Sequence, residues 1–364
     1  MFDLSNDNFI QKISLNFVDE DSSIVGEESF MNPANNEEFT IGYFVSTDLD
    51  AFYLDAGFRI DQIERTGSVT DHDHGDIDNF NIDDDTNSFA LSIGRDLSDS
   101  LDVNIGFASV ERLPSVIELF MNGPHLATGR LETGNPNLKS ETSNNFDLSF
   151  NYDNGEFFAM ASFYINDVDN YITLQDMIDD HDDDHGDDDH DDHDDDHGDD
   201  DHDDHDKEFA HLIKANYVQE DAEFRGYEFE IGRTFSLGSG DLTLSFGRDE
   251  VDAEFSDGHN VPRINPARNI YSLSYVESDW VFKLILKDVE SQNDIGEGET
   301  KTDSYQMLDT RLTRTFNVGE ESELKLSIFG TNLLDEVARN HSSFVKNEVP
   351  LAGRNYGAKF SYRF

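Results

Sequence analysis

From His181 to Asp206 the chain reads HDDDHGDDDHDDHDDDHGDDDHDDHD, a twelve-residue unit, HDDDHGDDDHDD, written twice without a mismatch and followed by His205-Asp206. Its imidazoles are His181, His185, His190, His193, His197, His202 and His205, spaced by 4, 5, 3, 4, 5 and 3 residues. Where no thiolate is available, zinc takes imidazole nitrogen and carboxylate oxygen, usually four ligands in a tetrahedron. This spacing lets a pliant loop bring two or three rings and an Asp onto one ion. The tract has no apolar surface to offset the entropy of ordering, so residues 179–206 are expected to be a disordered loop with many interchangeable weak sites. Protonation of imidazole near about pH 6.5 weakens capture in acid. Two plainer readings stand beside this one. The tract is also what a solvated low-complexity spacer looks like, and an acidic calcium-binding segment would use its carboxylates, although calcium gives the seven His no role.

Other histidines extend the pattern. TDHDHGD (70–76) repeats the chemistry with His72 and His74, and His211 follows the long tract. His125 in NGPHLATG is a candidate for a defined ligand, against the alternative of a loop-packing histidine; His259 in DGHNVPRINPAR and His341 in RNHSSF are weaker candidates. Glu118 and Glu132 read as structural carboxylates that hydrogen-bond backbone around Asn135-Pro136-Asn137. Nothing points to catalysis. The chain has no Cys and lacks GxSxG, HExxH and a phosphate-cradling glycine loop, so no enzyme activity and no catalytic cofactor are expected.

Charge narrows the partners. The chain holds 25 Lys+Arg against 80 Asp+Glu, a formal net of −55. Nucleic acid and anionic headgroups need Lys and Arg, so nucleic acid is excluded as a partner and cations are favoured. The N-terminus MFDLSNDNFIQKISLNF lacks the form of a signal peptide. No apolar run approaches 18 residues, which excludes a transmembrane helix but not a membrane β-barrel.

The elements that position these residues are strands. Apolar and polar residues alternate with period 2, most clearly in GRNYGAKFSYRF, where Tyr356, Ala358, Phe360, Tyr362 and Phe364 share one face. SFALSIGRDL, SLDVNIGF, NNFDLSFNY, GDLTLSF, YSLSY, DWVFKLIL and ELKLSIF read the same way, giving about fourteen antiparallel strands. The gaps between them alternate. Short ones lie at 46–50, 97–100, 152–156, 236–241, 277–279 and 317–322; long ones lie near 19–36, 65–85, 111–137, 172–212, 254–266, 290–302 and 333–352. Short turns on one rim and long loops on the other is the layout of an outer-membrane barrel, and all 13 His fall in the long gaps.

The stretch VERLPSVIELFMNGPHLATGRLETGNPNLKSETSNNFDLSF (110–150) resembles the late-barrel signature of TonB-dependent outer-membrane receptors, and NGPHLATG is similar to the zinc-uptake branch. GEESFMNP (26–33) and NLLDEVARNHSSFVKNEVPLAGRNYGAKFSYRF (332–364) agree with that branch. RxPSxxELF and NPNLKxE are shared by siderophore, haem and metal receptors alike. Only NGPHLATG and the His-rich loop favour zinc. The resemblance implies an all-β transmembrane antiparallel barrel of the 22-strand type, of which residues 1–364 are the C-terminal part, with neither plug domain nor TonB box. It further implies a location in the outer membrane of a Gram-negative bacterium, contact with its lipid, insertion by the barrel assembly machinery reading Phe364, and coupling to the TonB complex through a plug. The expected cargo is zinc or a similar divalent metal ion. Alternatives are a haem or siderophore receptor, or a surface metal buffer that does not transport.

Overall fold

Side chains alternate between the two faces of a strand, so strands paired in register extend one face into a continuous surface. The computed structural model describes the chain apart from residues 7, 27–28, 71–74, 178–208, 210 and 320–321. Its strands are β1 (Phe2–Asp3), β2 (Ile10–Ser22), β3 (Ala34–Leu49), β4 (Phe52–Thr70), β5 (Ile77–Ser98), β6 (Leu101–Arg112), β7 (Asn122–His125), β8 (Arg130–Thr133), β9 (Glu141–Asp153), β10 (Phe157–Asp176), β11 (Ile213–Leu237), β12 (Gly240–Phe255), β13 (Arg268–Glu277), β14 (Trp280–Val289), β15 (Tyr305–Asn317), β16 (Glu323–Thr331) and β17 (Asn355–Arg363), with one short helix, α1 (Val116–Phe120). Fourteen of these strands have nine residues or more, the length a tilted strand needs to cross hydrocarbon. The expected number of long strands is therefore the number observed.

The long strands form an antiparallel meander. β2 to β6 pair with their sequence neighbours, β6 pairs with β9 past the intervening β7–β8 hairpin, and β9 to β17 continue in order. Among the described residues no register joins β17 to β2, so the barrel is unclosed. The registers align outward apolar residues across the wall: Tyr43 faces Phe58, Phe58 faces Phe89, Leu91 faces Phe107 and Phe107 faces Phe146. The belt continues through Phe146–Ile165, Ile231–Phe246, Phe246–Tyr271 and Leu312–Ile328. Its side chains are exposed on the protein, Phe58 at 47% and Phe163 at 50%. Each gains about 1.5–3 kcal/mol when moved from water into lipid, which makes this face the membrane surface.

Connections alternate as the sequence indicates. Residues 50–51, 99–100, 154–156, 238–239, 278–279 and 318–322 are short turns. Asp50, Gly238 and Ser278 open two-residue turns with φ of 54°, 66° and 39°, the left-handed backbone that matches strand twist in a hairpin. The strand ends that flank 23–33, 71–76, 113–140, 177–212, 256–267, 290–304 and 332–354 lie at the opposite rim. One expected boundary is wrong. Residues 65–70 and 77–85 are strand and not loop, because β4 runs to Thr70 and β5 begins at Ile77, with pairs such as Glu64↔Asp83 and Gly67↔Phe80. A paired arm standing clear of lipid is solvated outside and needs no apolar outer face, so alternation does not mark it.

The apolar core lies inside the long-loop rim. Met31, Ala34, Leu119, Phe120, Leu138 and Ile172 cluster there, flanked by Phe30, Val69, Phe80 and Tyr217. Phe120 lies over Gly67, where a Cβ would come within 2.4 Å of its ring, and beside Phe80 at 6.0 Å. Gly134 is tighter. A Cβ there would meet the Leu119 carbonyl carbon at 2.7 Å and Met121 N at 2.8 Å, both backbone. Gly134→Ala is expected to destabilise the folded barrel by about 1–3 kcal/mol, and chemical unfolding in detergent micelles checks it.

Candidate metal centre

Residues 113–140 fold as α1, which packs against β3 and β4, and then the β7–β8 hairpin. Ser115 and Glu118 close a capping box: Ser115 N donates to Glu118 Oε2 at 2.7 Å and Glu118 N donates to Ser115 Oγ at 3.3 Å. That satisfies helix-start donors that would otherwise be orphaned. Arg112 bridges Glu118 and Glu141 at 2.8 and 3.1 Å. Glu118 is thus structural, but its carboxylate caps the helix and binds Arg112; only its main-chain oxygen meets Asn135 N, at 2.9 Å.

β8 pairs in parallel with the start of β11, Arg130 against Ile213 and Thr133 against Asn216. Antiparallel hairpin strands pair with neighbours in sequence, so this parallel contact has no signature in alternation. It sets the β7–β8 hairpin against both ends of the connection that carries the His/Asp tract. On one side Arg130 grips Asp176 with both nitrogens at 2.6 Å; on the other Ile213 N donates to Gly129 O at 3.2 Å. Met177 N to Lys214 O, at 2.8 Å, ties the two ends together.

At the end of β7, the His125 ring stacks on Phe30 with centroids 4.6 Å apart. Its Nδ1 lies 3.0 Å from Glu132 Oε1. A carboxylate accepts, so Nδ1 is the donor in this contact. Among the described residues Nε2 has no hydrogen-bond partner. Glu132 is 2% exposed at its side chain, and Thr128 Oγ1 donates to the same Oε1 at 2.6 Å. Its carboxylate therefore serves His125 and Thr128, not the backbone around Asn135-Pro136-Asn137. The ring borders a cavity of about 660 Å³ that Asp21, Met31, Met121, Tyr217 and Phe344 also line.

A second, smaller cavity of about 160 Å³ adjoins it, with Phe344 and Leu174 lining both. Phe344 sits between two guanidiniums, Arg130 at 4.5 Å and Arg263 at 4.2 Å from its ring centre. Below them Glu299 receives Lys346 Nζ at 2.6 Å and His341 Nε2 at 3.0 Å, and the backbone N–H groups of Arg263 and Gly296 at 3.1 Å. Burial would raise the Glu299 carboxyl, but the hydrogen bonds from His341, Lys346 and those amides outweigh it and hold the pKa at about 2. This cluster ties connection 290–304 to connection 332–354.

The remaining candidates separate clearly. His341 is 0% exposed at its side chain and has both nitrogens engaged, Nδ1 with Thr302 Oγ1 at 2.9 Å, so it is a structural residue and not a ligand. His259 is exposed, its Nδ1 2.7 Å from Asp257, whose hydrogen bond and charge raise its pKa. His211 is exposed in the turn before β11. His72, His74, His181, His185, His190, His193, His197, His202 and His205 lie outside the described residues. Among the described residues, no three His, Asp or Glu side chains gather where they could hold an ion. The Arg130–Asp176 pair and the Glu299 cluster are not foreseen by sequence reasoning. A signal existed: bases are scarce in this chain, and one in a long connection has acids in excess to choose from.

Residues 6–333 match the family described as TonB dependent receptor-like, beta-barrel. Among solved structures, the chain is similar to the copper transporter OprC, with 18% identity and a TM-score of 0.71 over 98% of this chain and 55% of that one. It is also similar to the FrpB iron transporter from Neisseria meningitidis, F3-3 variant, with 12% identity and a TM-score of 0.62 over 98% and 52%. A third likeness is to a double mutant of the Serratia marcescens hemophore receptor HasR in complex with its hemophore HasA and heme, with 15% identity and a TM-score of 0.62 over 100% and 57%. At these identities the likeness is one of fold. The chain spans about half the length of the structures it matches.

Two outcomes follow for the rim. Arg130→Ala leaves Asp176 buried and uncompensated, and is expected to cost about 3–5 kcal/mol of stability, whereas Arg130→Met with Asp176→Leu recovers most of it; guanidinium unfolding separates the two. The Glu299 cluster contributes fully above the ordinary carboxylate value of 4.5 and loses its contribution as pH falls toward about 2. That linkage amounts to roughly 3 kcal/mol. Unfolding free energies across this window should fall for the wild-type chain and be flatter for Glu299→Gln.

Proposed function

Because the chain belongs to the TonB-dependent receptor β-barrel family, we propose that it is the C-terminal wall and loop rim of an outer-membrane receptor that takes up zinc or a similar divalent metal ion. The observation that carries this reading is His125, whose Nδ1 is held by buried Glu132 and whose Nε2 is open beside a cavity at the loop rim. A metal-ligating His commonly presents one nitrogen while a carboxylate holds the other. The His/Asp tract, residues 179–206, acts as an outer trap that concentrates cations. Both ends of its connection meet the hairpin that carries His125, so gathered ions arrive next to the more exact site. His72 and His74 add to the trap. In the complete protein a plug domain couples this wall to the TonB complex, and the terminal strand with Phe364 engages the assembly machinery on the way into lipid.

A second reading concerns the metal. Met31 and Met121 are buried and line the same cavity as His125. Thioether sulfur is a soft ligand that favours cuprous copper over zinc, and the likeness to a copper transporter is in keeping with it. The two readings share the site and differ in the ion.

Equilibrium dialysis of the full chain in detergent, with zinc, nickel, calcium and, under reducing conditions, cuprous ion, tests both. The expected zinc isotherm has one tight phase and many weak ones, and His125→Ala removes the tight phase. An isotherm unchanged by His125→Ala overturns the site. A tight phase for cuprous ion alone moves the reading to copper. For the trap, a peptide of residues 172–212 is expected to hold zinc and nickel in preference to calcium; equal retention of all three would reduce it to a generic polyanion.

A further inference from the structure

Among the described residues of the rim, Glu132 and Glu299 have the most buried carboxylates, and they are treated differently. Glu299, 7% exposed at its side chain, is met by a lysine, a histidine and two backbone N–H groups. That is how a carboxylate is stabilised when its role is to hold loops together. Glu132, 2% exposed, has no Arg or Lys partner among the described residues. Its nearest bonded neighbours are a hydroxyl, from Thr128 at 2.6 Å, and the Nδ1 of His125 at 3.0 Å, and the Tyr217 hydroxyl also faces it. A buried carboxylate without a fixed cation is costly. Among the described residues the nitrogen that faces it is Nδ1 of His125.

The ring itself has little freedom. Phe30 covers one face at 4.6 Å, with planes 28° apart, and Phe30 is set by the hydrogen bond from Asn122 N to its carbonyl at 2.7 Å. Thr128 braces the carboxylate from the hairpin turn, so carboxylate and ring are held on one short hairpin. With Nδ1 engaged, Nε2 is the nitrogen left for an ion, and a buried carboxylate holds the ring from behind.

We infer that Glu132 is the positioning residue of the metal site: it fixes His125 in the Nδ1-protonated tautomer, presents Nε2 to the cavity, and supplies the charge that makes this ring a stronger ligand than the exposed histidines around it. This rests on the reading of His125 as a ligand. His259 is the internal contrast. Its Nδ1 also meets a carboxylate, Asp257 at 2.7 Å, but ring and carboxylate are both exposed, where water competes for the bond and screens the charge. Burial of the carboxylate is what separates the two sites.

The test uses the full chain in detergent micelles with histidine ring nitrogens labelled, and zinc alone as the probe. Ring resonances that vanish in His125→Ala identify His125 among the other histidines. In the wild type without zinc, they are expected to show a protonated Nδ1 and a bare Nε2, with zinc moving Nε2 first. Glu132→Ala should abolish that tautomer preference and weaken zinc at His125 by about 10–100-fold, the usual loss for an outer-shell partner. Glu132→Gln, of the same shape and able to accept from Nδ1 through its amide oxygen, should keep the tautomer and lose less. Unchanged circular dichroism in both variants excludes a folding defect. If zinc moves His125 in the wild type while Glu132→Ala alters neither tautomer nor midpoint, the positioning role is overturned. A weaker midpoint with the tautomer unchanged overturns it as well. Wild-type His125 signals unmoved by zinc would instead sink the reading of His125 as a ligand.

Discussion

Hydrocarbon offers no partner for a backbone N–H or C=O, and this governs everything else in the molecule. Each long strand inside the meander gives its hydrogen bonds to two neighbours, its outward residues must be apolar, and the crossing segments cannot carry irregular recognition surfaces. Chemistry is pushed into the connections. A meander sends every second connection to the same rim, so the long ones collect on one side. His125, His211, His259 and His341 share that rim because the strands leave them nowhere else to be.

The rim has an electrostatic problem of its own making. A chain with formal charge −55 crowds acids into connections that must nonetheless pack together. The few bases there resolve it by bracing one connection to another. Arg130 on β8 takes Asp176 at the end of β10, Arg263 reaches Thr173 and Leu174 from the connection after β12, and Lys346 takes Glu299. Phe344, between the two arginines, makes the last connection part of the same brace. With those bases committed elsewhere, Glu132 is left with neutral donors and a histidine, and that shortage gives the hairpin an unbalanced negative charge beside an open imidazole nitrogen.

Packing in the rim takes the place of a conventional core. α1 and the β7–β8 hairpin fill the mouth, and Met31, Leu119 and Phe120 bury against the inner wall. Apolar burial of this kind holds the hairpin rigidly enough for a ring stack and a carboxylate bond to fix one side chain. Gly134 permits the closest approach, backbone against backbone, between α1 and the strand that carries Glu132.

Alternation in the sequence determined the strands, their number, the membrane face and which connections are long, because each depends on local spacing that lipid enforces residue by residue. His125 is offered as a candidate by the family resemblance of the NGPHLATG segment, not by alternation. Polar arms such as Glu64 to Asp83 escaped it, since a paired strand in water needs no apolar face. The partners of Glu118, Glu132 and His341 escaped it too. Thr302 and Glu299 lie about 40 residues before His341 in the chain, and only closure of the rim brings them together. A histidine with both nitrogens engaged and one with Nε2 open are the same letter in the sequence. The difference between structural residue and candidate ligand is made by burial and by what stands behind the ring, and those are properties of the tertiary structure alone.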